Sequence, residues 1–301
     1  MGSEMCIRDR FNALRLRRKR YDLSITAFPS NKRKFALLAG LVGARERIAH
    51  SYPECSGAGL DWIYSRLVPA ERGLHDIEQN LRLLGVANGR REDLPRPILH
   101  LSEQDEKAAE DYWSRIRPGY PVVGIHPGSG NSPNERQTAK RWPLENFCEV
   151  IRIWARERGA TALVFCGPSE ADLRGELMGF AKREGLQDVY FPSAEIRTVA
   201  ALIKRCACFL SGDTGLMHVA TAVHTPVVAL HGPTDPARAG PPWDDCAVLR
   251  GKALPCRPCL KYPQRSRLSA IHCRQRKCWE GLPPGDVVDA LSQKLMLKNL
   301  I

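Results

Sequence analysis

No apolar run in this chain approaches the ~20 residues that a helix needs to cross a bilayer, so a membrane-spanning architecture is not expected. Met1 to Arg20 is mostly charged and lacks the apolar core of a secretory signal. The expectation is a protein of cytoplasmic type. There is no internal repeat and no low-complexity tract, which argues against solenoids and disordered scaffolds. Basic residues are not interleaved with aromatics in a stripe, and no nucleic-acid-binding motif occurs, so nucleic acid is not an expected partner. The first ten residues, Met1-Gly2-Ser3-Glu4-Met5-Cys6-Ile7-Arg8-Asp9-Arg10, show no periodic pattern and read as a non-native scar.

What remains is the composition of an ordinary globular enzyme. The 301 residues are 43% hydrophobic and 26% charged, enough for two domains with cores of their own. Lys and Arg total 45 against 33 Asp and Glu, a net charge of +12. The excess gathers in Arg15-Leu16-Arg17-Arg18-Lys19-Arg20, Asn31-Lys32-Arg33-Lys34, Arg90-Arg91 and the stretch from Arg257 to Lys277. Two readings stand: a solvated surface, or attraction to an anionic acceptor at an anionic membrane face.

Strands and helices alternate along the whole chain. Tyr21 to Phe28 and Arg47 to His50 read as strands, Phe35 to Ala39 as part of a helix, and His75 to Leu84 as a helix with Ile77, Leu81 and Leu84 on one face. Arg117-Pro118-Gly119-Tyr120-Pro121 is the best linker, dividing residues 11–117 from residues 118–301. In the second part, Val122-Val123-Gly124-Ile125 is a buried-type strand running into His126-Pro127-Gly128-Ser129-Gly130. A helix from Pro143 carries Phe147, Val150, Ile151 and Trp154 and stops at Gly159. Thr161 to Cys166 is the next strand, ending at Gly167-Pro168-Ser169-Glu170, and Val227 to Leu230 ends at His231-Gly232-Pro233-Thr234-Asp235-Pro236.

The most informative segment is Ser211-Gly212-Asp213-Thr214-Gly215-Leu216-Met217-His218. It reads as a strand that stops, turns on glycine and opens a helix. Asp213 or Thr214 can cap the first turn, Gly215 lets a ligand approach the backbone, and Thr214 and His218 share a face. Such a helix start is an anion site by its free amides and dipole, with a diphosphate the natural occupant, or it is a plain capped helix.

Five pieces in order, His126-Pro127-Gly128, Lys140-Arg141-Trp142-Pro143, Gly167-Pro168-Ser169-Glu170, Asp213 to His218 and Gly232 to Pro236, resemble the donor half of the ADP-heptose:lipopolysaccharide heptosyltransferases, glycosyltransferase family nine. The resemblance implies an α/β fold in the GT-B arrangement, two doubly wound Rossmann-like domains facing a cleft, with residues 11–117 a partial acceptor-side domain and residues 118–301 the nucleotide-sugar-binding domain. It implies inverting transfer of a heptose or related sugar from an ADP-sugar donor to an anionic lipid-linked lipopolysaccharide-core acceptor, at the inner face of the cytoplasmic membrane. The alternative is a catalytically empty nucleotide-sugar-binding module or a truncated gene fragment. Donor contacts carry over onto Lys140 and the amides of Thr214 and Gly215 for the phosphates, Glu170 for the ribose, and Asp213 and His218 for the sugar. Gly128, Ser129 and Thr234 line the same loops. No cofactor is required by the resemblance.

The beginning departs from the family pattern. Relatives open with a strand and a Gly-Asp loop that supplies the base for the acceptor hydroxyl. Here the first strand, at Tyr21, resembles a later one, so about 60 residues, at ~30 per strand–helix unit, are expected to be missing. The catalytic base is therefore assigned to no residue of this chain. Of the eleven cysteines, Cys256, Cys259, Cys273 and Cys278 are spaced C-x2-C-x13-C-x4-C. That spacing suits either a structural zinc site or free thiols. Cys148, Cys166, Cys206 and Cys208 sit in apolar segments and read as small buried residues.

Overall fold

The computed structural model describes residues 12–29, 33–52, 60–85, 94–129, 131–132, 135–136, 138–259, 273 and 276–296. The described residues divide into two units at Leu94/Pro95.

In the first unit, β1 (Leu23–Thr26), β2 (Glu46–Ser51) and β3 (Arg66–Pro69) form a parallel sheet in that order. The register runs Leu23↔Glu46 and Ile48↔Arg66. A helix at Arg33–Val42 makes the crossover from β1 to β2, burying Ala36 and Ala39. A second helix, Asp76–Leu83, starts at His75, whose Nδ1 accepts from the Ile77 amide at 3.2 Å. Buried His50 ties the layers, its two ring nitrogens lying 2.9 Å from the Val68 carbonyl and 2.8 Å from the Gln79 carbonyl.

The second unit holds six parallel strands. In chain order they are β4 (Val122–His126), β7 (Thr161–Val164), β8 (Val189–Tyr190), β9 (Cys208–Gly212), β10 (Val227–His231) and β11 (Ala247–Arg250); a two-strand ladder, β5 (Asn131–Ser132) and β6 (Glu135–Arg136), follows β4. The order across the sheet is β11-β10-β9-β4-β7-β8. The four inner strands bury residues on both faces, as their continuous apolar runs require. Alternation along each strand splits the core in two. Val123, Ile125, Leu210 and Leu230 pack on one face with Phe147, Leu177 and Leu291 from helices at Leu144–Arg152, Ala171–Arg183 and Pro284–Met296, and with Trp154 just past the first of these. Val122, Phe209, Val227 and Ala229 pack on the other with Leu202 and Met217 from helices at Ile196–Arg205 and Gly215–Ala222. Helices on both faces of a parallel sheet make this unit doubly wound.

Local chemistry explains the boundaries. Pro143 takes the N-cap of its helix, which loosens into a π-turn at Ile153–Glu157 and ends at Gly159, φ +60. Gly124 is held to glycine by close packing, since a Cβ there would lie 2.6 Å from the Phe209 ring and 3.2 Å from Cys206 Sγ. Gly124→Ala is expected to lower stability by about 1–3 kcal/mol through overpacking, read as a fall in the urea midpoint at constant slope.

One boundary differs from the sequence reading. The helix Glu103–Ile116 lies before the Arg117–Pro121 linker, yet it belongs to the second unit. Its Ala109 is wholly buried in the second unit's core. Arg197 bonds Asp105 at 2.9 Å, Lys204 bonds Glu106 at 2.6 Å and Arg205 pairs with Glu110 at 2.6 Å. Upstream, Arg96 makes a two-pronged pair with Asp245 and stacks over Trp243. The Pro/Gly cluster marks a turn within the unit: Arg117, φ +43, closes the helix and β4 follows. The cluster signals a change of direction, and a linker would read the same in sequence.

Candidate functional site

From β4 the chain builds outward through β7 to β8, then returns to the other side of β4 with β9, β10 and β11. The reversal falls between β4 and β9, which pair His126↔Ser211 at their carboxyl ends. Loops leaving such a pair diverge, and the crevice between them is where open parallel sheets hold ligands. The loops after β4, β7, β9 and β10 therefore share one edge, and they carry the five pieces singled out in the sequence.

Lys140 reaches this edge from the short turn Thr138–Lys140 and places Nζ 3.2 Å from Asp213 Oδ2. Asp213 is buried, 9% exposed, directly after β9. Desolvation opposes its ionisation, but Lys140, then His231 and His218, outweigh this and hold the carboxyl below its ordinary range. Thr214 takes the N-cap of the Gly215–Ala222 helix in extended conformation, yet its side chain makes no cap bond and its hydroxyl meets Ser211 Oγ at 3.0 Å. The first-turn amides are thus left to a ligand, beside a cation, at the positive end of the helix dipole. A Cβ on Gly215 would meet nothing within 4 Å, so the approach to those amides is open.

His218 lies on the same first turn, partly open to solvent while its imidazole is crowded by the protein. Desolvation lowers its proton affinity more than Asp213 raises it, leaving the imidazole below its ordinary pKa. Thr234, expected in this set, is buried and its hydroxyl lies 3.0 Å from His231 Nδ1. Lys140, Asp213, Thr214, Gly215, His218 and Thr234 are therefore all placed at the carboxyl edge of β9 and β10.

Gly128, Ser129 and Glu170 make a second group, in which Glu170 has a structural part beside the ribose role expected of it. Glu170 is 3% exposed, and its carboxylate turns into the protein. Oε1 accepts the Ser129 amide at 3.1 Å and Oε2 accepts the Gly167 amide at 2.9 Å. Gly128 lies so close that any Cβ would overlap the carboxylate. Arg141 completes the clamp, with Nε 3.1 Å from Ser129 Oγ and a terminal nitrogen 3.9 Å from Glu170 Oε1. Each carboxylate oxygen thus accepts one backbone amide, which uses half of the group's acceptor capacity. The carboxylate joins the β4 and β7 loops and sets the floor of the crevice.

Two residues escaped the sequence reading. Arg141 stands beside Lys140 in its motif, and its contacts with Ser129 and Glu170 leave no local signal in the sequence. His231 ends β10, and its register next to Asp213 follows from the pairing Leu230↔Gly212, which no local pattern reveals.

Cys256, Cys259, Cys273 and Cys278 lie within electrostatic reach of one another, Cys259 beside Cys256 and Cys273, and Cys278 beside Cys259 and Cys273. Among the described residues no group of three or more His, Cys, Asp or Glu side chains converges as metal ligands would. Cys278 is packed into the hydrophobic core, where burial pushes its thiol up to about 11, while Cys256 is exposed. Cys206 and Cys208 are buried as expected, whereas Cys148 and Cys166 are half-buried, with thiols pushed up to about 11 and about 12 by burial. No helix among the described residues is long and apolar enough to cross a membrane.

A cation paired with a buried carboxylate, beside open helix amides at a switch point, can bind a diphosphate and stabilise negative charge as it develops there. Known proteins resemble the chain in sequence and in fold. The chain is 31% identical over 133 residues to lipooligosaccharide heptosyltransferase 2 of Haemophilus influenzae, covering 43% of this chain and 36% of that protein. It is 27% identical over 296 residues to lipopolysaccharide heptosyltransferase 3 of Escherichia coli, covering 93% and 76%. Its fold matches the structure of the E. coli ADP-heptose lipopolysaccharide heptosyltransferase II with a TM-score of 0.69 at 20% identity, over 97% of this chain and 81% of that one. The family model of glycosyltransferase family 9 (heptosyltransferase) matches residues 12–269, and the chain belongs to that family.

Proposed function

We propose that the protein transfers a heptose, or a closely related sugar, from an ADP-sugar to a lipopolysaccharide-core acceptor with inversion at the anomeric carbon. The observation that carries this reading is the Lys140–Asp213 pair beside the uncapped start of the Gly215–Ala222 helix, on the switch-point edge. In the transfer, the acceptor hydroxyl gives its proton to a base and its oxygen bonds the anomeric carbon as the bond to the departing ADP breaks, and charge gathers on the diphosphate. Lys140 and the Thr214 and Gly215 amides face that charge and favour its departure over the ground state. Asp213 holds Lys140 in place and takes hydrogen bonds from the sugar. The Glu170 clamp keeps the β4 and β7 loops apart by a fixed amount, which presets the crevice. The net charge of +12 supports an anionic, lipid-linked acceptor at the inner membrane face. The acceptor-side base is assigned to none of the described residues.

The test supplies ADP-heptose and a heptose-deficient core acceptor and follows ADP release together with sugar incorporation. One ADP per sugar transferred is the expected result. No ADP release with this pair, from protein that binds ADP, would contradict the transfer reading.

A further inference from the structure

His231 ends β10 next to Asp213, and no part of it is exposed. One ring nitrogen is accounted for: Nδ1 lies 3.0 Å from the Thr234 hydroxyl. The other, Nε2, is buried and has no hydrogen-bond partner among the described residues. Buried polar atoms are rarely left so, and one at a ligand edge points to a partner that arrives with the ligand. The proton arrangement follows from Thr234. Its buried hydroxyl has no other acceptor among the described residues, so it donates to Nδ1 and leaves the hydrogen on Nε2.

The charge around the ring selects the ligand group. Asp213 acts most strongly on it, followed by Lys140, Arg250 and His218. A phosphate only accepts hydrogen bonds and is repelled by Asp213. A sugar hydroxyl both donates and accepts, which suits a carboxylate acceptor beside an imidazole donor. We propose that His231 is a further donor-sugar contact, giving its Nε2 hydrogen to a hydroxyl oxygen of the sugar whose own hydrogen goes to Asp213. The inference rests on the donor-site reading above and adds a specificity residue to it. Burial drives the imidazole down to about 4, so the ring is a neutral donor at any ordinary assay pH. Arg257, which donates to the His231 carbonyl at 2.7 Å, fixes the backbone behind it.

Two substitutions separate the ring nitrogens. Asparagine places its amide near Nδ1 and keeps the Thr234 contact, but has no atom at Nε2. Glutamine reaches the Nε2 position. Calorimetric titration of wild type, His231→Asn and His231→Gln with ADP and with ADP-heptose gives, for each protein, the ratio of the two affinities. The sugar's advantage over ADP is expected to fall about tenfold in His231→Asn, the worth of one well-placed hydrogen bond, and to return largely in His231→Gln. A ratio unchanged in both variants, or rescue by asparagine and not glutamine, would overturn the assignment. Loss of ADP binding in both variants would place His231 in the support of the fold and overturn it as well. Wild-type protein that binds no ADP would instead overturn the donor-site reading itself.

Discussion

Replacing Lys140 with alanine is expected to weaken ADP binding about tenfold or more, because a charge-assisted contact to the diphosphate is lost. Turnover is expected to fall further, by about 10²–10³, since charge on the departing diphosphate exceeds that in the ground state. Calorimetry and steady-state ADP release check the two parts. The substitution also leaves Asp213 buried without its nearest cation. Breaking a fully buried pair costs roughly 3–5 kcal/mol, and this partly open one is expected to cost roughly 2–3. The pH dependence has a definite sign. Asp213 is held below its ordinary value in the folded protein, so the pair stabilises above the unfolded carboxyl's ~3.9 and its contribution is lost as pH falls through the folded value. The stability gap between wild type and Lys140→Ala should therefore be widest near neutral pH and close in acid. Equal ADP affinity in the two proteins would remove Lys140 from the site.

Glu170→Ala is expected to act on stability first and on catalysis through it. The Ser129 and Gly167 amides would lose their acceptor, and Arg141 its carboxylate. Buried donors left unmade cost about 1–3 kcal/mol each, so a loss of about 3 kcal/mol is expected, or roughly 6–12 °C in melting temperature for a unit of this size. Gly128→Ala should mimic it, because its Cβ would occupy the carboxylate's position. A ribose contact on the protein surface would behave differently, with ADP affinity falling and the melting temperature unchanged. Thermal melts of the two variants decide between the roles.

Much of the fold was legible because its signals are local. Apolar runs such as Val227 to Leu230 belong to strands buried on both faces, and the Phe147, Val150, Ile151, Trp154 spacing belongs to a helix on one of them. The helix start at Thr214 was legible for the same reason. The order of strands was not, since β4 pairs with β9 across more than eighty residues, and no periodicity encodes that. What escaped the sequence shares this cause. The Pro/Gly cluster at Arg117–Pro121 looked like a domain boundary because the packing of Ala109 and the ion pairs of Asp105, Glu106 and Glu110 are set by residues nearly a hundred positions away. The clamp on Glu170 was hidden as well, because it depends on the absence of a side chain at Gly128, forty-two positions away.

The central claim is that the β4/β9 switch point binds the donor's diphosphate. A crystal structure of the protein with ADP tests it most directly. The account predicts the diphosphate over the Thr214 and Gly215 amides, with Lys140 Nζ turned from Asp213 toward a phosphate oxygen and Glu170 still bonded to Ser129 and Gly167. A diphosphate bound elsewhere, with Lys140 unmoved on Asp213, would contradict it.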